Sequence, residues 1–367
     1  MLMYKKKDMN LKNLYEKWQN WEISTFKFLM FCNIYSNRSL NDINQYPVYP
    51  WIITNYKDKE ISIENNNNLI RPFGTPMGMM DITPESKARK EMFLDLWENM
   101  NEDEDSNYKR YGVHYSTSMF ISYYLVRIFP FSNIKIELQG SKFDDPNRLF
   151  LTMDISFKNA MNQKSDLREL IPELFTLPEI FYNKNNLNLG TLSEKLDEEE
   201  KIDSTDNNED NKNNKEDNIV NDVGLPLWCD NDGYLFVKKY RELLESPKIN
   251  EKINEWFNII FGSKQKGKEA KKIHNLFLDQ TYEDYEDKYN KISTKEKIIA
   301  NRMVEFGVSP NQIFKSDTSK RKSYLELKNM KRLLYNTINT GNNNLIFEEI
   351  DSGFDNEKYL KMQSINS

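Results

Sequence analysis

The segment Leu138–Phe150 (LQGSKFDDPNRLF), taken with Ser165–Gly190 (SDLRELIPELFTLPEIFYNKNNLNLG), constrains the fold more than any other part of the chain. Both segments set Pro, Gly and paired charges beside large apolar side chains. Proline lacks an amide donor and fixes φ, so it does not sit in a helix interior or a central strand without cost. Charges this close to Leu, Phe and Ile must be paired or hydrogen-bonded wherever they are buried. The pattern predicts an irregular interior held by bonds from side chains to backbone.

The chain has 367 residues, enough for one large domain or two ordinary ones. Its 21 Phe, 20 Tyr and 6 Trp can fill a sizeable core despite a mean hydropathy of −0.78. No apolar run approaches the roughly 18 residues that span a bilayer. The basic start MLMYKKKDMN leads into no signal-peptide apolar region, which points to a cytoplasmic protein. Cys32 and Cys229 have no CxxC spacing and read as buried, reduced thiols. The net charge of −6 comes from one place. Leu192–Asp222 holds 12 acidic and 4 basic residues, and without it the chain has 47 basic and 45 acidic residues. A near-neutral body argues against a nucleic-acid surface. The same stretch has no aromatic residue and seven Asn, and it is expected to be a disordered surface insertion in a continuous domain.

Helical spacing recurs at Leu11, Leu14, Tyr15, Trp18 and Trp21, with apolar residues continuing to Phe31. Thr83-Pro84 reads as an N-cap and first turn, and Ser118–Phe129 as a central helix, apolar nearly all round. Leu149–Met161, Leu235–Leu244 and Ile249–Phe261 follow, with Gly262 as a C-terminal cap. Ser293 and Glu296 form a capping box for a helix that Gly307 and Pro310 end. Strand signals are thin: Ile134–Leu138 alternates, and Val48–Thr54 is held extended by prolines. The fold class is mostly α with long irregular segments.

Motifs for chemistry are weak. His114 and His274 are far apart and no Cys pair supports either, so a zinc site is not expected. Glu102–Asp105 reads as a solvated loop. There is no phosphate loop, dinucleotide fingerprint or nucleophile elbow, and no cofactor is expected. His114 and Ser116 could pair an imidazole with a hydroxyl, but a hydrolase would also need an orienting carboxylate and an oxyanion hole. The simpler expectation is a buried His114 donating to a backbone carbonyl, and Ser116 capping the helix that begins near Thr117. Cys32, among Phe28, Leu29, Met30 and Phe31, is expected to be inert. Arg38, Arg127 and Arg148 each have an acidic neighbour in sequence (Asp42; Glu137; Asp144 or Asp145); an anion site is one reading, and buried or half-buried ion pairs that fix unusual backbone are the expected one. On that expectation Arg148→Ala lowers soluble yield or melting temperature.

With these segments in view, the chain resembles a BEACH domain, the module of beige-, neurobeachin- and FAN-like proteins. Trp18–Arg38 is similar to the family's opening, and Ser39–Ile52 (SLNDINQYPVYPWI) to its Asn-Asp then Tyr-Pro-Val-x-Pro-Trp signature. Arg71–Gly78 resembles the Pro-Met-Gly turn, and Tyr111–Ser118 and Tyr124–Phe131 follow in order. Leu225–Trp228, Glu255–Gly267 and Phe306–Phe314 complete a resemblance covering about Trp18–Phe314. The structural signature positions it implies are Trp18, Arg38, Asp42, Tyr46, Pro47, Pro50, Trp51, Pro76, Gly78, His114, Tyr115, Ser116 and Arg127. Further along they are Gln139, Gly140, Phe143, Asp144, Arg148, Pro172, Glu173, Pro178, Gly190, Pro226, Trp228, Trp256 and Gly262.

The resemblance implies a mostly helical domain whose core contains extended, irregular segments, and a non-catalytic scaffold without metal or cofactor. Family members act through protein binding in vesicle trafficking, lysosome or endosome events and autophagy, as cytoplasmic proteins peripheral on endomembranes. Their BEACH domain commonly packs on a PH-like domain and precedes WD repeats. Residues 1–17 and 315–367 are too short for either, so such partners would lie in a longer chain. The tail begins with the basic stretch Lys315–Tyr335, which places Leu327, Met330, Lys331 and Leu334 on one helical face. Two other readings stand beside the scaffold: a peripheral module that meets anionic membrane through this tail, and a hydrolase using His114 and Ser116.

Overall fold

Short polar side chains start most of the helices. Asn10, Ser24, Thr117, Thr152 and Asp232 each stand just before a helix and accept a hydrogen bond from a first-turn amide, satisfying a donor that a helix start leaves open. In the computed structural model residues 10–63, 66–98, 111–192, 218–278, 281–282 and 307–329 are described. Helix α1 spans Leu11–Gln19, α2 Thr25–Tyr35, α3 Pro84–Glu98, α4 Ser118–Tyr124 and α5 Phe131–Leu138. Then come α6 Met153–Asn162, α7 Gly233–Glu245, α8 Pro247–Asn250, α9 Ile253–Ile260 and α10 Gly267–Lys272. The chain divides into a unit Met1–Arg321 and a unit Lys322–Ser367; the latter contains a helical turn at 324–329.

Among the described residues strand pairing is confined to isolated bridges, including Tyr49 with Leu170 and Ile53 with Ile70. The mostly α class therefore holds, and so does the irregular interior. The extended segment around Val48–Thr54 runs through the core, with Val48, Tyr49, Trp51 and Ile52 fully buried. A buried extended chain needs partners for its backbone groups. Asn33, on α2, supplies them: its Nδ2 donates to Val48 O at 3.0 Å and its Oδ1 accepts from Val48 N at 2.8 Å. Tyr49 exchanges two backbone bonds with Leu170, at 2.8 and 2.7 Å. An amide side chain and a single bridge thus do the work that a sheet would do elsewhere.

Several boundaries differ from the sequence-based expectation. Ile134–Leu138 lies in helix α5 and is not a strand. Its apolar residues Ile134 and Leu138 satisfy a four-residue helical spacing as well as alternation, so a segment this short carries both signals. Helix α4 stops at Tyr124, and Leu125, Val126 and Arg127 are buried in the turn after it. The stretch Leu149–Leu151 is extended and α6 begins only after Thr152, because Leu151 O and Phe150 O are already bonded to Gly224 N and Arg127 Nη1. Ile249–Phe261 is broken into α8 and α9, with Asn250 buried near the break and bonded to Leu244 O and Ser246 O. Phe261 occupies the C-cap of α9 and Gly262 follows it.

The domain edges move too. Helix α1 starts at Leu11 and buries Leu14, so the residues from Leu11 to Lys17 belong to the body. Asn218–Asp222, expected within the insertion, is packed: Leu192 N donates to Asn218 O at 2.8 Å and Val220 is 5% exposed. Residues 193–217, Glu102–Asp105 and the helix expected from Ser293 lie outside the described residues, as does the tail from Met330 onward.

Candidate functional site

Glu169 joins four segments. Its backbone N donates to Tyr115 O at 2.9 Å. Its Oε2 accepts from Arg71 Nη1 at 2.6 Å and from Trp51 N at 3.3 Å, while Oε1 accepts from Trp256 Nε1 at 3.0 Å. The neighbouring Arg168 carbonyl accepts from Trp51 Nε1 at 2.9 Å. Three signature blocks, around Trp51, Arg71 and Trp256, are therefore bound to one carboxylate. The Arg71 and Glu169 side chains are each 1% exposed, so this cluster holds the fold and offers nothing to a substrate.

The arginines work in a different way from the expected ion pairs. Arg38 donates from Nη1 to Tyr46 O at 2.7 Å and from Nη2 to Val308 O. Asp42 instead ends its own turn by accepting from Asn44 N and Gln45 N. Arg127 donates to Asn221 O at 2.7 Å and to Phe150 O at 2.9 Å, not to Glu137. Burial pulls the guanidinium of Arg38 down to about 9 and that of Arg127 to about 10, still above neutral pH. Both stay charged, and carbonyl oxygens from distant segments replace water around them. A guanidinium carries five donors, so it can tie several backbones at once where a carboxylate would absorb only two of them. Asp144 meets the buried Lys135 instead of Arg148, at 3.9 Å. Arg148 is exposed, which corrects its expected role as a buried pair.

His114 is 1% exposed and Ser116 is 3% exposed. His114 Nε2 is hydrogen-bonded to Ser309 Oγ at 2.8 Å, not to a backbone carbonyl, and its ring stacks on Phe277 with centroids 3.9 Å apart. Thr117, not Ser116, caps α4. Burial, with Arg38 adding to it, holds the imidazole well below its usual pKa. Among the described residues Nδ1 has no hydrogen-bond partner and no carboxylate orients the ring, as a catalytic triad would need. Gly307, at φ +99°, presses its backbone onto this corner: a Cβ there would come within 2.6 Å of His114 Cβ.

The other signature positions are spread through the same interior. Trp18 stacks on Phe28 at 5.0 Å and donates from Nε1 to Thr25 Oγ1. Tyr46 OH donates to Glu173 Oε1 at 2.6 Å, and Tyr115 OH to Asn275 Oδ1 at 2.8 Å. Pro47 and Pro50 are buried in the irregular stretch around Tyr49, and Pro76, Pro172, Pro178 and Pro226 are buried at the starts of 3-10 turns. Gly78 packs against the Tyr111 ring, where any side chain would overlap it. Gly190 lies against Pro146, and Gly262 O accepts from Gln312 Nε2 at 2.8 Å. Trp228 is buried against Phe236. Gln139 and Phe143 are half-buried and Gly140 is exposed, so Gln139-Gly140 forms a surface turn after α5. Burial pushes both thiols up, Cys229 to about 12, in keeping with inert cysteines.

Sequence reasoning missed the strap formed by 307–321. Along it Ser309 N, Asn311 N and Ile313 N donate to Thr281 O, Ser36 O and Phe261 O. Thr318 is held by Asn254 O and Asn258 Oδ1, at 3.1 and 2.8 Å. At its end Arg321 donates to Trp18 O, Thr25 Oγ1, Asn250 Oδ1 and Ile23 O, at 2.7 to 2.9 Å, and its guanidinium lies 3.6 Å from the Trp21 ring centre. The run Lys320-Arg321-Lys322 reads as a solvated basic tail, and nothing in its composition separates the middle residue from its neighbours. Lys315–Arg321 belongs to the body and not to the tail.

On the surface, a cleft of about 670 Å³ is lined by Tyr123, Asn147, Arg148, Leu151, Ile155, Asn159, Gln163, Ser165 and Arg168. Among the described residues no three of His, Cys, Asp and Glu are gathered as a metal site requires, and no helix is long and apolar enough to cross a membrane.

A helical domain whose extended interior is laced by buried arginines, asparagines and carboxylates is the class of protein this arrangement defines. Comparison with known proteins names it: the Beige/BEACH domain family matches residues 16–203 and 198–321, and the chain belongs to that family. It is 34% identical to Beige protein homolog 1 of Schizosaccharomyces pombe over 308 residues, 83% of this chain and 11% of that protein. It is also 34% identical to a putative neurobeachin homolog of Caenorhabditis elegans over 312 residues, 85% of this chain and 11% of the other. BEACH domain-containing protein B of Arabidopsis thaliana is 34% identical over 311 residues, again 83% and 11%. The chain thus spans about a tenth of the length of these relatives. The family match ends at residue 321, the residue that closes the strap.

Proposed function

We propose that this protein is a non-catalytic scaffold of BEACH type. It binds other proteins in vesicle-mediated trafficking, at lysosomal, endosomal or autophagic membranes, as a cytoplasmic protein peripheral to them. The observation that carries this reading is where the reactive groups lie. His114, Ser116, Glu169, Cys32 and Cys229 are all buried, and His114 and Glu169 are bonded to other groups of the protein. Catalysis needs such groups at an accessible, oriented site. Because the chain spans a small part of its relatives' length, PH-like and WD-repeat regions of a longer protein are natural partners.

The test is deletion of the gene followed by rescue. Loss should change the size of acidic compartments, and the wild-type chain should restore it. A deletion without any effect on vesicle or lysosome morphology would contradict the trafficking role.

The reading in which the tail meets anionic membrane is weakened by Arg321 and Thr318, which are buried in the body. A co-sedimentation assay on phosphatidylserine vesicles should show equal binding by the full chain and by a chain ending at Arg321.

A further inference from the structure

We propose that the cleft beside α6 docks a short acidic peptide of a partner protein; this rests on the scaffold reading above. Three observations carry it.

The first is charge. Arg148 is exposed, and among the described residues its guanidinium forms no ion pair or hydrogen bond. The adjacent Asp145 carboxylate is already engaged, accepting from Asn147 N at 2.9 Å and Asn147 Nδ2 at 2.8 Å. Arg168, also on the cleft, is 6% exposed and neutralised by Asp166, yet its Nη1 has no hydrogen-bond acceptor. The cleft therefore presents the open guanidinium donors of Arg148, beside an Asp145 whose oxygen is taken up by Asn147, which suits a single carboxylate.

The second is hydrogen bonding. Asn159 Oδ1 accepts from Gln163 Nε2 at 2.9 Å. That leaves an amide donor on Asn159 and a carbonyl acceptor on Gln163 side by side, the complement of a peptide group. A phosphate offers acceptors only and would face the Gln163 oxygen unfavourably. This distinguishes a peptide from a phospholipid headgroup.

The third is shape. Ile155 and Asn159 stand four residues apart on one face of α6 and Gln163 caps its C-terminal end, so the cleft runs with the helix. From Ile155 to Gln163 is about 12 Å at 1.5 Å per residue. An extended peptide covers that length in about four residues at ~3.3 Å each. Leu151 and Ile155 give an apolar floor for an aliphatic side chain next to the acidic one.

The experiment measures binding of the full chain to fluorescein-labelled pentapeptides that carry one Asp or Glu beside Leu or Ile, against the same peptides with Asn or Gln. The acidic forms should bind ~10-fold tighter, the size expected of one charge-assisted contact. Arg148→Glu should abolish that preference with an unchanged melting temperature, and Arg148→Lys should retain most of it. Equal binding of acidic and amide peptides, or indifference to Arg148→Glu, overturns the proposal. So does binding to phosphatidylserine vesicles that depends on Arg148 and is absent for peptides. If peptides fail while Arg148→Glu still rescues compartment size, the cleft proposal falls and the scaffold reading stands.

Discussion

Arg71 and Glu169, 98 residues apart in sequence, form a 2.6 Å ion pair in which each side chain is 1% exposed. The same carboxylate accepts from Trp51 N and Trp256 Nε1, so one group couples the first and last thirds of the domain. Removing one member of a buried pair leaves the other charged and unsolvated, at a cost of about 3–5 kcal/mol. Glu169→Gln should therefore lower the denaturant midpoint sharply. The double variant Arg71→Met with Glu169→Gln should be less destabilised than the sum of the two single variants. A near-normal midpoint for Glu169→Gln would contradict the assignment.

Arg321 closes the strap onto α1, α2, α8 and the turn before α2 with four hydrogen bonds. Burial lowers its pKa to about 9, against the opposing influence of Glu245, so it keeps its charge at neutral pH. A chain ending at Lys320 should lose roughly 3 kcal/mol, because hydrogen bonds to a buried charge are worth about 1.5–3 kcal/mol each before solvation is recovered. A chain ending at Arg321 should melt within a few degrees of the full chain. Equal stability of the two truncations would show that the strap is not fastened there.

His114 makes stability depend on pH. Its imidazole is held well below the usual value by burial and by Arg38, so the folded state stays neutral while the unfolded chain takes up a proton below about pH 6.5. The unfolded state then binds more protons, and stability must fall on acidification, by up to ~1.4 kcal/mol per pH unit for one such group. His274, also shifted down by burial, adds to the same slope. His114→Gln should melt lower at pH 7.5 and show a shallower decline toward pH 5. An unchanged slope would mean that His114 titrates normally in the fold.

Arg148 is predicted to matter little for folding. Its guanidinium is exposed and makes no hydrogen bond or ion pair among the described residues, and such surface substitutions usually fall within about 0.5 kcal/mol. Thermal melts of Arg148→Ala and of the wild type should overlap. A loss of soluble protein would restore the buried ion pair that the sequence alone suggests.

Two features were legible in the sequence: the helices with polar caps, as at Thr83, and the prolines and charges that mark an extended interior. Their partners were not legible. Arg38 has Asp42 four residues away, yet its donors go to carbonyls at Tyr46 and at Val308, 270 residues on. A guanidinium satisfied by backbone leaves no complementary residue type in the sequence, since every residue carries a carbonyl. Arg321 was hidden for the same reason inside a basic run. Arg148 was misplaced in the other direction, because neighbouring apolar residues suggest burial while the 3-10 turn Pro146–Arg148 directs the chain outward. The cleft depends on α6 lying beside the turn at 146–148, which spacing does not encode.

The central claim is that the reactive side chains build the fold and do no chemistry. Its most direct measurement is compartment-size rescue by Ser116→Ala and Ser309→Ala chains in cells lacking the gene, with expression matched to wild type. Full rescue by both is the predicted result. A chain that folds and accumulates normally but fails to rescue after loss of either hydroxyl would contradict the account.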